Sequence, residues 1–199
     1  MKLFHVAFIC SSPNTISCPK DGKPEFAFVG RSNVGKSSLV NMLVNRRGVA
    51  KVSGTPGKTR LINHFLVDDT WYLVDLPGYG YAKISIKERQ KIKEMIDNYI
   101  LSRKEMRCLF VLIDSRLEPQ KLDLEFLSFL GENEIPFFIL FTKADKLSAV
   151  EMQKSIARYK RKLSSQWEIV PNIIPTSSKT KEGRDILIGI IEEVMEGKI

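Results

Sequence analysis

Cysteine is scarce in this chain of 199 residues, and the little there is forms no framework. Cys10, Cys18 and Cys108 have neither paired spacing for disulfides nor the spacing of metal ligands. Cys108 opens an apolar run and reads as a small core residue. Histidine is rarer: His5 and His64 build no zinc site with those cysteines. Long hydrophobic runs are missing too, since none approaches the ~20 residues a membrane helix needs. The start has too little charge ahead of the short run Val6 to Cys10 for a secretory signal. The end, Glu196-Gly197-Lys198-Ile199, carries no cysteine box for prenylation. The expectation is a cytoplasmic protein that does not engage membranes.

Acidic residues are also in deficit. There are 23 Asp plus Glu against 31 Lys plus Arg, a net charge of +8. A protein acting on nucleotides alone does not need that excess. It favours a polyanionic partner, of which RNA is the commonest in a cytoplasm.

What is present reads as one α/β domain. Residues 1–24 form an N-terminal extension in which Phe4 to Ile9 could add a strand, followed by a loop rich in Ser, Pro and Gly. The main domain spans residues 25–199. A first strand over residues 25–29 precedes a helix over residues 37–45, and strands over 61–67 and 71–75 flank the hairpin signal Asp68-Asp69-Thr70. Capping boxes at Ser85/Glu88 and Ser148/Glu151 open helices reaching about Ser102 and Leu163. Between them, the unbroken apolar runs 109–113 and 137–141 predict parallel strands buried on both faces. A helix over residues 120–134 should turn Leu122, Phe126, Phe129 and Leu130 inward. A last strand near residues 169–174 and a helix near 183–196, burying Ile186, Leu187, Ile190, Ile191, Val194 and Met195, complete the order. The expected architecture is a six-stranded, mostly parallel sheet with one antiparallel strand and helices on both faces.

The chemistry gathers on five stretches. Gly30-Arg31-Ser32-Asn33-Val34-Gly35-Lys36-Ser37-Ser38 lies between a strand and a helix, the arrangement of a phosphate-binding P-loop. Gly30 and Gly35 let the backbone curl so that its N–H groups surround a phosphate chain. Lys36 can reach the β- and γ-phosphates, and the Ser37 hydroxyl can take a Mg²⁺ position. Asp75-Leu76-Pro77-Gly78 ends a strand, where a carboxylate can hold a Mg²⁺ water and the Gly78 N–H can meet the γ-phosphate.

Thr142-Lys143-Ala144-Asp145 follows the second buried strand. Guanine presents two adjacent donors, N1–H and the N2 amino group, which the Asp145 carboxylate can accept together. Adenine would leave that carboxylate unpaired. Thr176-Ser177-Ser178-Lys179 is placed to cover the base from the other side. A glycine-rich loop around Ser53-Gly54-Thr55-Pro56-Gly57-Lys58-Thr59 is long enough to be functional.

In this order the five stretches resemble the translation-factor-related class of P-loop GTPases, with its G-domain fold, over residues 25–196. The P-loop, Pro56-Gly57-Lys58-Thr59 with Asn63 and Phe65 after it, and Asp75-Leu76-Pro77-Gly78-Tyr79-Gly80-Tyr81-Ala82 resemble the EngB (YihA/YsxC) family, which is Era-like. The resemblance implies a GTP-binding protein and slow GTPase, a nucleotide-dependent switch in bacterial large ribosomal subunit assembly, needed for normal division and septation. It implies Lys36, Thr59 and Gly78 at the reaction, and Gly57, Lys58, Thr59, Arg60 and Leu61 along the nucleotide. It implies that Thr59 shares Mg²⁺ with Ser37, Thr55 being the rival, and that Asn33 helps hold K⁺. Tyr79 stands where Ras-like proteins carry a water-orienting glutamine. Ser178, where relatives often have Ala, departs from the pattern, as do Arg60 and His64.

The expected partner is a large-subunit precursor and its RNA, met by a monomer through the basic outer face of Lys154, Arg158 and Arg161. Two rivals use the same loop. A small-molecule kinase would need an acceptor site and a lid, and Asp145 opposes ATP. A membrane trafficking G protein is disfavoured by the missing lipid-anchor motif and by Tyr79.

Overall fold

Alternation along the strands decides which helix packs where. Phe26 and Phe28 face one side of the sheet and Ala27 and Val29 the other, all fully buried. The first side joins Phe110 and Leu112 and is covered by Leu39, Val40 and Leu43 with Leu187, Ile188 and Ile191. The second joins Val111 and Ile139 and is covered by Ile92, Ile96 and Tyr99 with Leu127, Leu130, Tyr159 and Leu163. Strands buried on both faces are therefore apolar throughout.

The computed structural model describes residues 4–46, 48–49, 60–80, 84–165 and 167–199. Its elements in order are β1 (Val6–Ser12), β2 (Glu25–Gly30), α1 (Lys36–Leu43), β3 (Ile62–Val67), β4 (Trp71–Asp75), α2 (Ile86–Ser102), β5 (Met106–Asp114), α3 (Lys121–Glu132), β6 (Phe137–Thr142), α4 (Ala149–Leu163), β7 (Ile173–Pro175) and α5 (Arg184–Met195). The sheet order is β1-β3-β4-β2-β5-β6-β7. Among the described residues only β3 runs against the other strands, pairing antiparallel with both β1 and β4. Helices α1 and α5 cover one face, and α2, α3 and α4 the other.

Seven strands replace the expected six, because residues 6–12 extend the sheet at its β3 edge. The last strand is shorter than expected. Ile169 is 83% exposed, and pairing with β6 begins only at Ile173, beyond Pro171, which lacks an N–H to donate.

Two helices are also turned from the expected phase. In α3 the buried residues are Asp123, Leu127 and Leu130, so Leu122, one residue off that seam, is exposed. In α5 the buried residues are Arg184, Leu187, Ile188 and Ile191, which leaves Ile186 and Met195 outside. Both capping boxes form as expected, Ser85 with Glu88 and Ser148 with Glu151. The loop residues Ser53 to Thr59, with Tyr81 and Ala82, lie outside the described residues.

Candidate functional site

The site begins where β2 runs out of room. A Cβ on Gly30 would lie 2.7 Å from the Leu112 carbonyl of β5, so only glycine lets the two strands stay paired here. The chain then turns through Arg31, Ser32, Asn33 (φ 65°) and Val34 to Gly35. Gly35 has φ 105° and stands at the N-terminus of α1 with no side-chain cap. The first-turn N–H groups, at Lys36, Ser37 and Ser38, carry the helix's partial positive charge and are suited to an anion.

Strand β4 ends beside this loop, with Asp75 in register with Phe28 of β2. Leu76 N–H donates to Phe28 O at 3.0 Å and Tyr79 N–H to Gly30 O at 3.1 Å. Ser32 N–H donates to Tyr79 O at 3.1 Å, so residues 75–79 run along the P-loop. Lys36 and Asp75, both buried, form an ion pair. Leu76, Pro77 and Gly78 are buried alongside it.

Tyr79 turns away from this pair. Its hydroxyl donates to Asp123 of α3 at 3.0 Å, and its ring lies 4.8 Å from that of Phe126. Burial raises the Asp123 carboxyl to about 6, against the pull of the Tyr79 hydrogen bond and the Arg31 charge.

The other end of the cleft is built at the C-terminal ends of β5, β6 and β7. Thr142 Oγ1 donates to Val34 O at 2.7 Å, tying β6 to the P-loop. Lys143 takes φ 61° and reaches back across that loop, donating to Asn33 O at 3.1 Å and to Asp114 at 2.8 Å. Ala144 N–H donates to Thr176 O at 3.0 Å, and Ser177 Oγ to Asp145 Oδ1 at 2.7 Å. The Ser177 hydrogen bond lowers the Asp145 pKa, with the Lys146 charge also pulling down. Thr176 and Ser177 are buried and Ser178 is exposed.

Thus residues 30–38, 75–78, 142–145 and 176–178 converge on one cleft edge of the sheet. Gly57, Lys58, Thr59 and Thr55 lie outside the described residues. Arg60 pairs with Glu88 of α2 at 2.9 Å, and Leu61 is partly exposed ahead of β3.

The sequence reading passed over Asp114 and Arg116. Asp114 ends β5 and accepts both arms of the Arg116 guanidinium, at 2.9 and 2.8 Å, besides Lys143. Burial opposes its charge, but these donors prevail and bring its pKa down to about 2. The signal was available: a carboxylate closing an apolar strand at the edge where such sheets bind ligands.

A P-loop on the first strand–helix turn, with carboxylates from neighbouring parallel strands around it, defines the chain as a GTPase-type α/β nucleotide-binding fold. Residues 25–143 match the family described as "50S ribosome-binding GTPase". The chain is 52% identical over 194 residues to the probable GTP-binding protein EngB of Porphyromonas gingivalis, covering 98% of this chain and 96% of that one. Against its counterpart in Bacteroides fragilis the identity is 54%, with the same coverage. A crystal structure of a probable GTP-binding protein EngB superposes with a TM-score of 0.72 at 26% identity, over 87% of this chain and 99% of that chain. The chain belongs to the EngB family of GTP-binding proteins. Among the described residues no helix is long and apolar enough to cross a membrane.

Proposed function

We propose that this GTP-binding protein hydrolyses GTP slowly and works as a nucleotide-dependent switch in assembly of the bacterial large ribosomal subunit, in the cytoplasm, with consequences for division and septation. The observation that carries the switch reading is one cleft with a differently equipped group at each end. Lys36 and Asp75 stand at the phosphate end, and Asp145 with Ser177 at the base end.

The Ser37 hydroxyl and the Asp75 carboxylate are hard oxygen donors of the kind Mg²⁺ selects. Ser37 and, by family pattern, Thr59 would bind the ion directly and Asp75 through a water; Asn33, at the P-loop tip, is the candidate for K⁺. Mg²⁺, when bound, neutralises charge shared by the β- and γ-phosphate oxygens. The chain's own part is electrostatic and positional. Lys36 and the first-turn N–H groups of α1 draw on the phosphate charge, and the Gly78 N–H reaches the γ-phosphate. Asp145 accepts the two guanine donors while the Lys143 stem lies over the P-loop. Tyr79 offers a phenol in place of an amide, and its hydroxyl is engaged by Asp123. Hydrolysis is therefore slow until a partner reorders this segment.

The ribosomal half of the reading rests on the matched family's description, on the net charge of +8, and on the basic face of α4 with Lys154, Arg158 and Arg161. The test is sedimentation with large-subunit precursors. Co-sedimentation in a non-hydrolysable GTP analogue and its loss in GDP is expected. Equal behaviour in both nucleotides, or binding to anionic vesicles in place of precursors, overturns the proposal.

A further inference from the structure

On the flank of the base-binding end lies a groove of about 670 Å³ between the loop after β5 and helix α4. Four cations line it: Arg116 from the loop, and Lys154, Arg158 and Arg161 from α4. The three on α4 recur at spacing four and three, so they share one face and extend over roughly 10 Å of helix. Glu151 is engaged in capping its own helix, and Glu118 pairs with Arg158. Two buried polar atoms beneath this lining, Ser115 Oγ and Arg158 Nε, have no hydrogen-bond partner among the described residues. A row of four cations along one groove suits an extended phosphodiester backbone better than a single small anion.

One of the four cations does a second job. Arg116 is 45% exposed on its side chain, yet its guanidinium is locked two-armed onto Asp114. Asp114 in turn holds Lys143, which also bonds the P-loop carbonyl of Asn33. The groove thus reaches the nucleotide cleft through three charged side chains in direct contact.

We propose that this groove binds RNA backbone and that Arg116 couples its occupancy to the guanine nucleotide by positioning Lys143 through Asp114. The proposal rests on the RNA-binding reading of α4 given above. A phosphate on Arg116 restrains the guanidinium that orders Asp114 and Lys143. Less freedom is then lost when nucleotide binds, so the two ligands favour one another. The coupling is reciprocal: RNA holds nucleotide, and nucleotide holds RNA, by the same factor.

The experiment measures release of a fluorescent non-hydrolysable GTP analogue from the full chain with and without a saturating single-stranded RNA oligonucleotide. The readout is the ratio of the two rates. The wild-type ratio is expected to show release slowed about fivefold or more, the lower end of measured couplings. Arg116→Lys keeps the charge but loses the two-armed fork. Without nucleotide it should bind the RNA as well as wild type, while the rate ratio returns to one.

The triple variant Lys154→Gln, Arg158→Gln, Arg161→Gln should lose RNA affinity and flatten its salt dependence. If that variant binds RNA like wild type, the α4 reading itself falls. If wild type binds RNA through α4 but its ratio is one, or Arg116→Lys keeps the wild-type ratio, the coupling falls alone. Inorganic phosphate at the same phosphate concentration should leave release unchanged. An equal slowing by phosphate would overturn the assignment to RNA.

Discussion

In the proposed function Asp145 carries the choice of base. Its carboxylate is fixed by Ser177 Oγ at 2.7 Å, so its orientation is set from behind, by the loop after β7. Asp145→Asn replaces an acceptor by a group that also donates. GTP affinity should fall by ~10–100-fold, the cost of losing hydrogen bonds to a charged group. Xanthosine triphosphate, whose C2 carbonyl accepts where guanine donates, should gain relative to GTP. A competition assay with both nucleotides measures this, and an unchanged order of preference would remove Asp145 from base reading. This residue was legible as a candidate because a four-residue stretch after a buried strand names it. Asp114 was not, since it reads as the polar end of a strand. Its meaning comes from Lys143 and Arg116 arriving there in space.

At the scale of elements, what could be read was what depends on neighbours in the chain. Both capping boxes, the parallel apolar strands and the strand–loop–helix of the P-loop are local patterns, and all formed. Helix phase is not local. In α3 the inward seam includes Asp123, a charged residue at a core position because Tyr79 meets it there. A reading by hydrophobicity alone therefore chose Leu122. Strand β1 was hard to read because a register shift between Phe8 and Cys10 breaks its alternation, leaving Phe8 and Ile9 exposed. The capping boxes give a direct test. Ser148 accepts from the Glu151 N–H at 3.3 Å, and its own N–H is taken by Glu151 Oε2 at 2.7 Å. Ser148→Ala should cost ~1 kcal/mol in urea unfolding. A loss of under a few tenths would mean that packing of Tyr159 and Leu163 alone holds α4.

Over the whole molecule, stability against pH is a sum of buried carboxylates of opposite sign. Glu25, at the start of β2, accepts from Tyr99 at 2.6 Å and from Arg103 at 2.6 Å, and faces His64 at 3.2 Å. Burial works against its charge, but these donors outweigh it and its pKa lies below the ordinary carboxylate value. With Asp114, brought down to about 2, it favours the folded chain above the ordinary range, and that gain is lost as pH falls through the folded values. Asp123 does the reverse. Burial brings it up from 3.8 to about 6, so across that window the folded chain keeps a proton the unfolded chain has released. Folding is then progressively penalised as pH rises from about 4 to about 6, by up to ~3 kcal/mol, and the penalty stays constant above. Asp123→Asn keeps an acceptor for the Tyr79 hydroxyl and has nothing to ionise. Its urea stability should match wild type near pH 4 and exceed it by ~1–3 kcal/mol at pH 7. A difference that vanishes at pH 7, or grows towards acid, would mean that the Arg31 charge keeps Asp123 ionised in the fold. The Tyr79–Asp123 contact would then be an anionic hydrogen bond that strengthens the hold on Tyr79 at neutral pH.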